Sequence, residues 1–78
     1  MDEEVWKITQ DLLYKFLSNK KARSIIKKSE GEKLEGNEMR DFKNGISKLQ
    51  YYYEFYKFLE ENKDNEAVLD LLNIIEKE

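Results

Sequence analysis

Apolar side chains recur at steps of three and four along most of this 78-residue chain, and no proline interrupts them. That is the period of a helix, and strand-like alternation finds no place to start. In Val5, Trp6, Thr9, Leu12, Leu13, Phe16 and Leu17 the steps keep one face apolar, while Lys7, Asp11 and Lys15 take the other. Asp2, Glu3 and Glu4 stand where a helix N-terminus favours acids. The spacing predicts a first helix over about residues 3–18.

Asn19 is the expected cap of a second helix over residues 20–30, with Ala22, Ile25 and Ile26 inward and Gly31 as its stop. The stretch "GEKLEGN" reads as a loop whose one apolar side chain, Leu34, packs back as a plug. Asn37 is the expected cap of a third helix over 37–61, carried by Met39, Phe42, Ile46, Leu49, Tyr53 and Tyr56. Such a helix would be roughly 37 Å long. Gly45 threatens it, since glycine costs about 1 kcal/mol in a helix interior. Ser47 with Gln50 also fits the pattern of a fresh start. The apolar register runs on through Gly45, which favours one helix bent there, with a break as the alternative.

Asp64 is the expected cap of a fourth helix over 64–77, with Ala67, Val68, Leu71, Leu72, Ile74 and Ile75 as its stripe. The expected fold is therefore all-α. It is a small antiparallel bundle of about four helices, with a long aromatic-rich third one, in a single domain over residues 1–78.

Residues 51–58, "YYYEFYKF", hold six aromatic side chains in eight positions. On a straight helix they do not share one face. Tyr52, Tyr53, Tyr56 and Leu59 continue the stripe of Phe42, Ile46 and Leu49, while Tyr51, Phe55 and Phe58 form a second one at i, i+4 and i+7. A helix that apolar must be covered from two directions. One reading is structural, with helix three central and the others wrapped around it, since such stripes are usually core. The other leaves Tyr51, Phe55 and Phe58 exposed as a partner-binding face, for a second copy or for a target. A base-stacking platform is disfavoured, because Glu54, Glu60 and Glu61 would repel phosphates.

Charge is uneven. Residues 19–28 hold five positive charges (Lys20, Lys21, Arg23, Lys27, Lys28) and no acid, on a chain of net charge −3. This electrostatic patch is either a phosphate-contacting helix or the solvated face of an ordinary amphipathic one. A sequence pI near 5.1 favours the second. Residues 60–78 run the other way, with seven acids and two lysines.

There is no histidine and no cysteine, which removes the commonest general base and the thiolate metal ligands. No calcium loop, phosphate-cradling glycine loop or catalytic triad motif is recognisable. The expectation is a protein that is not an enzyme, with no catalytic residue, cofactor site or metal site. The longest apolar runs are three residues, far below the ~20 of a membrane helix. With an acidic start unlike a signal peptide, the chain reads as soluble and cytoplasmic.

The function expected from these features is non-catalytic binding of another protein, with homodimerisation open. The Lys, Glu, Ile, Asn, Tyr and Phe bias reflects AT-rich codons and suits a viral or mobile-element accessory factor, such as an inhibitor of a host defence or regulatory enzyme. Two alternatives come from other classes. A Lys/Glu-rich bundle of this size resembles bacteriocin-immunity proteins, a likeness of size and composition. A nucleic-acid-binding regulator would instead use the basic helix 20–28.

Overall fold

In the computed structural model, which describes residues 2–77, the helix-period stretches fold into five helices, and no strand occurs among the described residues. They are α1 (Asp2–Phe16), α2 (Asn19–Ser29), α3 (Asn37–Leu49), α4 (Tyr53–Glu61) and α5 (Glu66–Lys77). The all-α class holds, but the long third helix does not. It is two helices, and the break falls at residues 50–52 rather than at Gly45.

Helical geometry explains the break. Side chains turn by 100° per residue, so on a straight helix Phe55 would stand about 120° around from Leu49. Both are core residues, each 1% exposed. One straight rod cannot bury Phe42, Ile46 and Leu49 on the same side as Phe55 and Leu59. The chain instead ends α3 with tight turns, in which Tyr51 N donates to Lys48 O (3.1 Å) and Tyr52 N to Leu49 O (3.0 Å). Tyr52 leaves the helical region (φ −105°, ψ 81°), and α4 restarts with Phe55 and Leu59 inward. The second aromatic side that the sequence displays is accommodated by re-aiming the backbone.

Gly45 has a different task from the one its helix-breaking reputation suggests. It is buried in mid-α3, and a Cβ there would lie 2.9 Å from Ile25 Cδ1 and 3.3 Å from Lys21 Cβ. The missing side chain lets α2 approach the α3 backbone closely. Farther along the same pair, Lys27 Nζ bridges Glu38 Oε2 at 2.6 Å, so α2 and α3 run antiparallel.

Three caps sit one residue away from the expected positions. Ser18, not Asn19, precedes α2, and its Oγ accepts from Lys21 N (3.4 Å). Gly36, not Asn37, precedes α3, with φ +56°, a conformation that side-chain-bearing residues rarely adopt. Asn65, not Asp64, caps α5, its Oδ1 accepting from Ala67 N (2.9 Å) and Val68 N (3.2 Å). The first helix also stops at Phe16 rather than residue 18.

The core draws on every helix. Leu13 and Leu17, Ala22 and Ile25, Phe42 and Ile46, Phe55 and Leu59, and Val68, Leu71 and Ile75 all lie in one cluster. Leu34 joins it from the loop at 7% exposure, the plug the sequence implied. Thr9 is fully buried, but its hydroxyl donates to Val5 O at 2.8 Å, so no polar group there goes unpaired. No described helix is long and apolar enough to cross a membrane.

Candidate interaction surface

The three residues of the expected partner-binding stripe do not form one surface. Phe55 is core. Phe58 is partly buried against the core. Tyr51 alone is open, 86% exposed in the turn between α3 and α4. Tyr53, which the sequence placed in the apolar stripe of helix three, is 76% exposed at the first position of α4. The break exchanges their roles, because the register of α4 starts afresh at Tyr52 and continues through Phe55, Tyr56 and Leu59. That run of threes and fours was the available signal for Tyr53.

Between the two exposed tyrosines, Tyr52 packs inward. Its ring lies 4.7 Å from that of Phe16, which also meets Phe55 edge-on at 6.2 Å. Lys15 Nζ stands 6.0 Å from the centre of the Phe16 ring. The end of α1 thus anchors the turn, and Tyr51 and Tyr53 project from a fixed base. In the first half of α4, Tyr56 is held by partial burial and by donating to Glu76 Oε2 (3.1 Å). Both push its phenol above the ordinary value.

The basic patch of α2 is divided by its neighbour. Lys27 is paired with Glu38, and the charged hydrogen bond holds the amine above its ordinary value and the carboxyl below. Glu38 Oε1 also accepts from Glu35 N (3.3 Å), so the same carboxylate fastens the loop before α3. Lys20 and Arg23 share a shallow hollow with Glu38 and Asp41 of α3. Lys28 is exposed, and Lys21 is half-buried against α3 at Gly45. The structure does not present the five cations as one basic face.

A separate concavity of about 600 Å³ opens where α1 and α5 begin and α2 ends. Trp6 lines it, with Glu3, Glu30, Glu66 and Asp70. Glu3 and Glu66 belong to first helical turns, where acids are ordinarily favoured. No group of three or more metal-ligating side chains occurs among the described residues.

This concavity and the exposed tyrosines lie at opposite ends of the bundle, and the contacts fix that arrangement. Phe16 of α1 meets Tyr52, Lys21 of α2 lies against Gly45, and Tyr56 reaches Glu76 near the end of α5. The last turn of α1, the first of α2, the end of α3, the start of α4 and the end of α5 therefore share one end.

Charge sorts with the ends. Residues 15–21, 43–57 and 76–77, toward the tyrosines, carry seven lysines and two glutamates, with Lys20 reaching back to the hollow it shares with Glu38 and Asp41. Residues 3–4, 27–41 and 60–70, around the concavity, carry twelve acids and five cations. The 15 residues of α1 span roughly 22 Å. That exceeds two Debye lengths of about 8 Å at physiological salt, so the outermost charges of the two ends are screened from each other, although the two sets adjoin at Asp41 and Lys43 and at Lys57 and Glu60.

No family model, no curated protein and no solved structure matches this chain.

Proposed function

We propose that this chain is a non-catalytic helical protein that acts by binding another protein, in the manner of an inhibitor or accessory factor, through the turn between α3 and α4. The exposure of Tyr51 and Tyr53 carries the reading. Burying a large apolar side chain is worth about 1.5–3 kcal/mol, and a domain this small has little stability to spare. Phe42 and Phe55 are buried, and Tyr52, Tyr56 and Phe58 pack partly against the core, whereas these two rings are left in water beside it. Tyrosine is enriched at protein interfaces, where a rigid ring supplies area and its hydroxyl stays wet. The base under the turn supports the same reading, because Tyr52 packed on Phe16 fixes the backbone that carries both rings, and a backbone already fixed loses little freedom on binding.

The test is position-specific photo-crosslinking in cells of the source organism. A benzophenone amino acid replaces Tyr51 or Tyr53 in turn, and Asn73, exposed on α5, as the comparison. The expected result is one discrete protein adduct from positions 51 and 53 and none from 73. Adduct patterns indistinguishable at all three positions, or no adduct at any, would refute the reading.

A further inference from the structure

We propose that the tyrosine turn docks an acidic segment of its partner, one that alternates carboxylates with apolar side chains. This rests on the protein-binding reading above and adds the chemistry of the occupant. Sequence alone hides the basis for it. The chain is net acidic, and Glu54, Glu60 and Glu61 stand in and after the aromatic run. Glu54 keeps its place beside Tyr53 in the first turn of α4, whereas Glu60 and Glu61 stand at the far end of that helix, roughly 10 Å along its axis from Tyr53.

Apart from Glu54, the charged neighbours of the two rings are lysines. Lys48 precedes Tyr51 by one turn, with Tyr51 N bonded to Lys48 O, and both side chains are exposed. Lys57 follows Tyr53 at i+4, so the two share a face of α4, also exposed. Lys15, over the Phe16 ring, adds a third amine beside the base of the turn. Apart from Lys27 and Lys63, no lysine forms an ion pair among the described residues. Each exposed ring thus stands beside an exposed amine that forms no ion pair, Lys48 with no acid within four residues and Lys57 with Glu54, Glu60 and Glu61 at helical spacing on α4. The complement is a chain whose apolar side chains cover the rings while its carboxylates meet Lys48 and Lys57.

A nucleic-acid strand fits less well. Single-strand binders stack bases along a positive groove that tracks the phosphates. Tyr51, at 86% exposure, has no groove wall beside it. A strand long enough to leave the turn would also enter the field of the acidic end. A short acidic protein segment needs neither groove nor length. Charge of this kind mainly sets association rate and salt dependence, with the rings supplying the affinity.

Fluorescence anisotropy with a labelled peptide of four Glu-Glu-Leu repeats tests the proposal, with a twelve-residue oligothymidylate and a Lys-Lys-Leu peptide as comparisons. The expected result is preferential binding of the acidic peptide, weakened by added salt. Lys48→Gln with Lys57→Gln should weaken it roughly fivefold, the scale of two exposed charge pairs. Tyr51→Ala with Tyr53→Ala should abolish it. Circular dichroism on each variant confirms the fold.

Acidic-peptide binding unchanged in both variants, or tighter binding of the oligonucleotide, would overturn the proposal. So would salt-sensitive self-association, seen by sedimentation and lost in the lysine variant, since the occupant would then be the acidic end of a second copy. Crosslinking from position 51 separates the two levels of inference. An adduct that forms equally well in the lysine variant removes the acidic partner and keeps protein binding, whereas absence of any position-specific adduct removes both.

Discussion

Gly45→Ala sets two effects of known sign against each other. On an exposed helix face the substitution would stabilise by about 1 kcal/mol, because alanine loses less backbone freedom than glycine. Here the new methyl would sit 2.9 Å from Ile25 Cδ1 and 3.3 Å from Lys21 Cβ. Ordinary carbon contacts lie near 3.5–4.0 Å, so one neighbour must give by more than half an ångström and another by a few tenths. Ile25 Cδ1 is the end of a side chain, but that side chain is fully buried and has packed atoms behind it. Lys21 Cβ is tied to the α2 backbone and moves only with the helix. Overpacking of this kind costs about 1–3 kcal/mol, which leaves a net loss of up to about 2 kcal/mol.

A double-mutant cycle in urea, followed by circular dichroism, isolates the contact. Ile25→Val alone removes the clashing Cδ1 and should cost about 0.5–1.5 kcal/mol as an ordinary core truncation. In the Gly45→Ala background that same methyl is the obstacle, so removing it should cost little or even stabilise. The two changes should therefore be non-additive by about 1 kcal/mol, in the range seen for residues in contact. Stabilisation by Gly45→Ala alone, together with strict additivity, would refute the close approach of α2 to α3.

Other perturbations separate positions that look alike in sequence. Asn65→Ala should cost about 0.5–2 kcal/mol by removing the acceptor of two backbone amides, while Asp64→Ala, one residue away, should be nearly neutral by the same urea measurement. Phe55→Ala should cost about 3–5 kcal/mol, whereas Tyr51→Ala should stay within about 0.5 kcal/mol; thermal melts of the two variants decide it. Glu38 has its folded value lowered by Lys27, so its contribution is present above the ordinary carboxylate value near 4.5 and lost as pH falls through its folded value. Lys27 is raised, so its part is present below its ordinary value near 10.5 and lost as pH rises through its folded value. Glu38→Gln should accordingly lower the melting temperature at pH 7 and leave it unchanged at pH 2.

Helices α1, α2 and α5 are legible in the sequence because each buries one stripe, and a stripe at steps of three and four survives in linear order, whereas α3 and α4 read as one helix. Leu34 was legible for the same reason, as a lone apolar residue in a polar loop. The caps were missed by one residue at Ser18, Gly36 and Asn65, since each is adjacent to another residue able to do the work. Only the direction of the incoming backbone chooses between them. Gly45 reads in sequence as a weakness of its own helix. Its reason is Ile25, twenty positions earlier, and local spacing holds no record of that contact.

The turn at 50–52 shows where linear reading stops and why it matters for function. Two registers overlap in "LQYYYEFYKFL", one running on from Leu49 through Tyr52, Tyr53 and Tyr56 and the other through Tyr52, Phe55, Tyr56 and Leu59. Each is a sound helix face, and which one wins depends on whether α1 stands ready to receive Phe55. Phe16 receives it, the second register wins after residue 52, and Tyr53 passes from expected core to surface. The same choice leaves Lys48 beside Tyr51 and Lys57 beside Tyr53, the two open rings. Composition describes an acidic chain with an aromatic run, and folding turns it into a molecule with a basic aromatic end and an acidic one. A candidate binding surface of this kind belongs to the topology. No alteration confined to residues 51–58 would create it without the helix ends that converge there.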